Sequence, residues 1–187
     1  IQVGSGQRIA DPSAEQYLDL VLESDKALEQ LIGHYSQAEE RTMIVFFGDH
    51  QPPLKNAFYE ELYGKPLADR TTEEVLQQYA VPFFIWTNYE MEAREDVILS
   101  PNFLGTLTAQ LAGLPRTGYM DFLSDLYKEL PVITPVGCIA ADGTYYERKD
   151  LPQHLADLLH DYETLNYCGM VDLFDEARPM FCLEEAP

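Results

Sequence analysis

Gly48-Asp49-His50 is the stretch of this sequence best equipped for chemistry. Near neutral pH an aspartate offers a hard ionised oxygen and a histidine a neutral imidazole nitrogen. Side by side, the two can take a divalent ion such as Zn²⁺ or Mn²⁺. Two donors do not close a coordination sphere, since a catalytic zinc ordinarily has three protein ligands. A second reading therefore stands beside the first, in which Asp49 and His50 cap the next turn or hydrogen-bond a loop. The remaining histidines add no ligand spacing. His34 falls in the last turn of a predicted helix, where a cation offsets the helix dipole. His154 and His160 are six apart on a late helix, hence on different faces, and read as surface residues. Cys138, Cys168 and Cys182 are odd in number and have no CxxC spacing, which supports neither a zinc site nor a complete disulfide framework.

The pair is presented by an unbroken apolar run, Met43-Ile44-Val45-Phe46-Phe47, stopped by Gly48, which lets the backbone turn. Continuous apolarity predicts a central strand covered on both faces, and Pro52-Pro53 forbids any further ladder. Ligands in open α/β sheets collect where such strands end. Before the strand, Tyr17, Val21, Leu28, Leu31 and Tyr35 recur at helical spacing from about Ser13, with Ser13 and Gln16 as a capping box. After it, short helices are predicted around 58–63 and 72–79, and Val81–Thr87 reads as a second buried strand. Ser100-Pro101 opens a helix that closes near Gly113, and another runs from about Tyr119 to Leu130. Asp142-Gly143 between strand-like runs predicts a hairpin, followed by a helix over 152–165. The last dozen residues read as poorly ordered. The alternation of strands and helices up to Pro131 predicts α/β with parallel pairing.

A chain of 187 residues suits one domain, or one domain with a small appendage. No run of ~20 apolar residues is available to cross a bilayer. The start at Ile1, without an initiator Met or signal-peptide pattern, suggests a segment excised from something longer. With 12 basic against 32 acidic residues, the net charge of −20 argues against nucleic-acid binding, which needs clustered Lys and Arg. Anionic lipid surfaces should repel it as well, unless a metal or an outside membrane segment intervenes. Solvated helix faces account for the acidity.

The segment Phe46-Phe47-Gly48-Asp49-His50-Gln51-Pro52, with Ser24-Asp25-Lys26-Ala27-Leu28 before it, resembles the C-terminal part of bacterial lipoteichoic acid synthase-like phosphoglycerol transferases. These belong to the sulfatase and alkaline phosphatase superfamily. The resemblance continues in order through Phe58–Leu62, Val81–Trp86, Leu111–Pro115 and Tyr119–Leu123. It then reaches Leu151-Pro152, Asp161-Tyr162 and Tyr167. It covers most of the chain from about Ser13 to Phe174, and the Gly-Asp-His segment is its most specific piece.

The resemblance implies a fragment of an alkaline phosphatase-like α/β fold, with a mostly parallel sheet flanked by helices and a C-terminal hairpin and helix. Residues 1–131 would be the C-terminal portion of the catalytic domain and 132–187 a hairpin-helix extension. It implies that Asp49 and His50 bind the catalytic metal, manganese first, zinc or magnesium otherwise. An upstream acidic ligand, a Thr nucleophile and a substrate-binding His would precede this segment; Thr42, in the strand, is not that nucleophile. The intact enzyme would act on a phosphatidylglycerol-like anionic lipid at the outer face of a bacterial membrane, transferring phosphoglycerol to an acceptor for cell-envelope polymer synthesis. Thr attack would expel diacylglycerol and leave a glycerophospho-threonine for an acceptor hydroxyl or water to resolve. The excised chain would be inert, and its uncovered apolar faces would invite self-association. A sulfatase or phosphodiesterase of the same superfamily is the enzymatic alternative, and a non-catalytic binding or scaffolding module the other.

Overall fold

The computed structural model describes residues 11–171 and 174–183. The chain is mixed α/β, with helices around two small sheets, and divides into two compact units between Glu92 and Ala93.

In the first unit, helix α1 (Pro12–Tyr35) is capped by Asp11, whose carboxylate accepts from the Ser13 and Ala14 amides at 2.8 and 3.1 Å. The cap therefore lies two residues before the predicted Ser13. Pro12 takes the first helical position, where its missing N–H costs nothing, and that fixes the start. Strands β1 (Met43–Phe47) and β2 (Phe83–Thr87) form a two-stranded sheet with Val45 opposite Ile85. Between them lie α2 (Asn56–Tyr63), a 3-10 turn at Leu67–Asp69, and α3 (Thr72–Gln77). Helix α2 stops at Gly64, whose φ of 69° is left-handed.

Two features differ from expectation. The β1–β2 pair is antiparallel, and no parallel pair occurs among the described residues. Apolarity reports how a strand is covered, not its direction, and the long link through α2 and α3 allows either sense. The faces of this sheet are also only half-buried, with Phe47 50% exposed. No third strand joins the ladder among the described residues, so the apolar run has less to pack against than its sequence anticipates.

One side chain ties this unit together. The Asn88 amide nitrogen reaches the carbonyls of Tyr35, Ala38 and Glu40 at 3.1, 3.2 and 2.8 Å. Its oxygen accepts from the Thr42 amide at 2.9 Å. The end of α1 is thereby fixed to the start of β1 and the end of β2.

The second unit has a continuous core. Helices α4 (Pro101–Leu111) and α5 (Gly118–Glu129) pack with a three-stranded antiparallel sheet of β3 (Val132–Ile133), β4 (Gly137–Ile139) and β5 (Tyr145–Glu147). Helix α6 (Gln153–Met170) completes it, and Phe103, Leu126, Leu130, Cys138 and Leu155 meet at the centre. The hairpin at Asp142-Gly143 forms as its turn chemistry predicts, with Gly143 at φ 83°. Ser100 precedes α4 but makes no cap hydrogen bond. Its buried hydroxyl instead accepts from the Ile133 amide and donates to the Ile133 carbonyl, at 2.6 and 3.0 Å, joining helix to strand. The tail expectation is corrected too, because residues 174–181 form α7, with the Phe181 ring 4.8 Å from Tyr119. Acidic, Pro-containing composition had suggested disorder there, but aromatic contacts hold the helix. Residues 184–187 lie outside the described residues. No described helix is long and apolar enough to cross a membrane.

Candidate metal centre

Asp49 and His50 follow directly from the carboxyl end of β1. Gly48 holds the exit tight: its amide donates to the Pro82 carbonyl at 3.0 Å, and a Cβ there would stand 3.0 Å from the Val81 Cβ. Close approach of the segment leading into β2, rather than a left-handed turn, is what requires glycine. Thr42 lies at the opposite end of the strand.

Both side chains are solvent-facing, Asp49 at 83% and His50 at 71% exposure, and they converge. The His50 Nε2 stands 3.4 Å from one Asp49 oxygen, while the other oxygen accepts from the His50 amide at 2.9 Å. On the far side of the ring, Nδ1 is 2.9 Å from the Gln51 carbonyl. A carbonyl can only accept, so Nδ1 carries the hydrogen, and in the neutral ring Nε2 presents its lone pair toward the carboxylate. Two acceptors facing each other leave a place for a cation, a proton or a water donor between them. Two atoms each about 2.1 Å from a tetrahedral ion lie roughly 3.4 Å apart. The donor set therefore fits two positions of a divalent centre, with a backbone carbonyl fixing the tautomer as in metal-ligating histidines generally.

Gln51 adds a second tether, its side-chain amide donating to the Ala80 carbonyl ahead of β2. Pro52 accepts from the Tyr59 hydroxyl of α2, and the Leu54 amide turns back onto the Pro52 carbonyl at 2.8 Å. These bonds shape a cavity of about 280 Å³ with Asp49 and His50 at one end and Asn56, Tyr59, Gln78 and Tyr79 along its walls. Sequence reasoning gave no role to Gln51, Tyr59 or Tyr79. The signal was the Pro52-Pro53 stiffening, which commits the loop to one path past α2.

The other sequence candidates stay apart. His34 is in the last turn of α1, edge-on to Tyr35 at 5.1 Å. His154 and His160 are exposed on α6. The cysteines are free thiols, with Cys138 buried and Cys182 exposed. Among the described residues no three His, Cys, Asp or Glu side chains gather as a metal site would require, so Asp49 and His50 stand as a pair.

A Sulfatase family model matches residues 3–114. A Rhizobium meliloti (strain 1021) protein, assigned by its name to cyclic β-1,2-glucan modification, is 27% identical over 155 residues, covering 78% of this chain and 24% of its own length. The Streptococcus pyogenes phosphoglycerol transferase GacH, solved in complex with sn-glycerol-1-phosphate, superposes with a TM-score of 0.67 over 96% of this chain and 42% of that one, at 14% identity. The fold is thus the alkaline phosphatase-like one of GacH, and the chain spans about a quarter of the length of its curated relative.

Proposed function

This chain belongs to the sulfatase family, and from that premise we propose that it is the C-terminal part of a metal-dependent phosphoglycerol transferase in which Asp49 and His50 hold a divalent cation. Manganese is the first choice, zinc or magnesium the alternatives. The observation that carries this is the convergence of the Asp49 carboxylate and the His50 Nε2 at 3.4 Å, with Nδ1 committed to the Gln51 carbonyl. A bound ion would supply positive charge to phosphoryl oxygens and lower the pKa of an attacking hydroxyl. This chain's part is positional. Asp49 offers the hard oxygen, the Gln51 carbonyl keeps the His50 lone pair outward, and Gly48 lets both leave the sheet within reach of a substrate.

The fold likeness to GacH, whose structure holds sn-glycerol-1-phosphate, supports a phosphoglycerol-bearing, lipid-like donor for the parent enzyme. The Rhizobium relative's name supports a hydroxyl-rich glucan as the kind of acceptor. In this reading the Thr nucleophile, the acidic third ligand and the substrate-binding His come from sequence outside this chain, which by itself is inert. Residues 1–131 finish the catalytic domain and 132–187 extend it. The parent works on the outer face of a bacterial membrane, anchored by segments outside this chain, and the uncovered apolar faces favour self-association. The family match also favours a second reading, hydrolysis of a sulfate or phosphate ester by the same pair.

Calorimetry with Mn²⁺ and Zn²⁺ tests the site. The wild type should bind weakly, with a Kd on the order of 1 mM, as two of three ligands allow. Asp49→Ala, a change at an exposed position, should lose at least about tenfold without altering the fold. Equal responses from both proteins would make the pair structural and the chain a binding or scaffolding module.

A further inference from the structure

Pro82 ends the β1–β2 ladder unevenly. In register with it, the Gly48 amide donates to the Pro82 carbonyl at 3.0 Å, but Pro82 has no N–H to return the bond. An antiparallel pair at such a position ordinarily exchanges both bonds, so the ladder holds the exit of β1 by half of what it could. A side chain makes the next attachment to the same segment. Past Asp49 and His50, the Gln51 side-chain amide donates to the Ala80 carbonyl. The pair is therefore bracketed against Ala80-Val81-Pro82, by Gly48 before it and by Gln51 after it.

Gln51 has a second contact, through its backbone. Its carbonyl stands 2.9 Å from the His50 Nδ1 and accepts the ring hydrogen there. His50 is 71% exposed, so water competes for that nitrogen, and a carbonyl in a loosely held loop would not keep the ring in one tautomer. Two restraints hold this one. Pro52 confines the residue before it to extended backbone, and the bond to Ala80 anchors the other end of the same residue. The bond made by one ring nitrogen sets the role of the other. The direction of the His50 lone pair is thus decided one residue away. Tyr59 also braces this loop, but at the Pro52 carbonyl, one peptide further on.

We propose that Gln51 is the positioning residue of the metal pair: its side chain, clasped to Ala80, holds its own carbonyl against the His50 Nδ1 and keeps the Nε2 lone pair turned toward Asp49. The assignment rests on the metal reading of Asp49 and His50, to which it adds a residue that need not touch the ion.

Nitrogen NMR of the metal-free chain reads the tautomer directly. At about pH 8.5, roughly two units above the ordinary histidine value, the rings are neutral and each carries one hydrogen. His50 should carry it on Nδ1. Gln51→Met keeps the length of the side chain and removes the donor at an exposed position, so the fold should persist, with native Trp86 fluorescence from β2. The ratio of Nδ1–H to Nε2–H at His50 should fall about three- to fivefold, as expected for the loss of one hydrogen bond. His34, His154 and His160 should stay as they were. Calorimetric affinity for Mn²⁺ should fall by about the same factor. Gln51→Glu, alike in shape but without the donor, should shift the tautomer in the same sense; its charge would itself attract a cation, so the tautomer alone is read. Tyr59→Phe should change the ratio less than either.

Hydrogen on Nε2 in the wild type, a ratio unmoved in both Gln51 variants, or an equal change in Tyr59→Phe would overturn the assignment. Mn²⁺ bound equally by wild type and Gln51→Met, with the ratio unmoved, sinks this inference alone. A wild type silent to Mn²⁺ whose His50 tautomer still depends on Gln51 sinks the metal pair and spares the clasp.

Discussion

Up to Glu92 the chain buries only Ala14 and Leu76 among its described apolar side chains, whereas from Ala93 onward a contiguous cluster runs from Phe103 to Leu159. The first unit carries the candidate metal pair and the cavity; the second carries neither. Polar tethers hold the first: Asn88 across α1, β1 and β2, Gln51 onto Ala80, Thr71 at the start of α3. Side-chain packing holds the second. The contrast separates two ways of making order. A tether fixes a direction at modest stability, which suits ligands that must point, while a core supplies most of the stability.

Opposite substitutions make the contrast measurable. Leu126 is 1% exposed at the centre of the second unit, so Leu126→Ala should cost about 3–5 kcal/mol. Phe47, half-exposed on β1, should cost only about 1 kcal/mol when changed to Ala. Denaturant unfolding can assign these losses, because the single tryptophan, Trp86, lies on β2 and reports the first unit. Leu126→Ala should move the far-UV circular dichroism midpoint more than Phe47→Ala does. Equal losses at both positions would erase the distinction between packed and tethered halves.

Asn88→Ala attacks the tethered half directly. It removes the acceptor for the Thr42 amide and the donor to three carbonyls at the end of α1. Leaving such partly buried groups unpaired costs about 1–3 kcal/mol, less than the core substitution. The loss should appear in Trp86 fluorescence and in faster amide exchange at Thr42. A shift confined to the helical signal of the second unit would show that Asn88 does not organise the first.

Much of this was legible in the sequence, and the failures have physical causes. Met43–Phe47, Pro101 and the Asp142-Gly143 turn were readable because local sterics and turn chemistry decide them. Strand direction was not, since β1 and β2 are joined by a link that fits either sense. Ser100 looked like a cap because serine before Pro101 has that pattern, but a strand 33 positions away in sequence competes for the same hydroxyl. The α7 helix escaped notice because its anchor, Phe181 against Tyr119, is a long-range contact. Asp49 and His50 could be named from type and position. That His50 presents Nε2 depends on a backbone carbonyl, and no residue letter encodes that.

The smallest expected effect tests whether a cap can matter to a cavity wall. Thr71 caps α3 by accepting from the Glu74 amide at 3.3 Å, and the Glu74 carboxylate returns the bond to the Thr71 amide at 2.8 Å. Helix α3 leads directly to Gln78 and Tyr79 in the cavity and to the Ala80 carbonyl that anchors Gln51. Thr71→Ala should therefore cost about 1 kcal/mol and loosen that wall. Lys65, hydrogen-bonded to the Glu74 carboxylate, and then the Thr71 amide hold its pKa below the ordinary 4.5. A folded-state value below the unfolded one means the carboxylate's contribution is present above about 4.5 and fades as pH falls through the lowered value. Because the Glu74 bond holds the residue-71 backbone in cap geometry, losing it should weaken the threonine's own bond, so the penalty of Thr71→Ala should shrink on acidification. Thermal unfolding of the two proteins across that pH range reads the difference. A penalty that stayed constant into acid would mean the threonine acts alone, and the reciprocal bond adds nothing to the wall it supports.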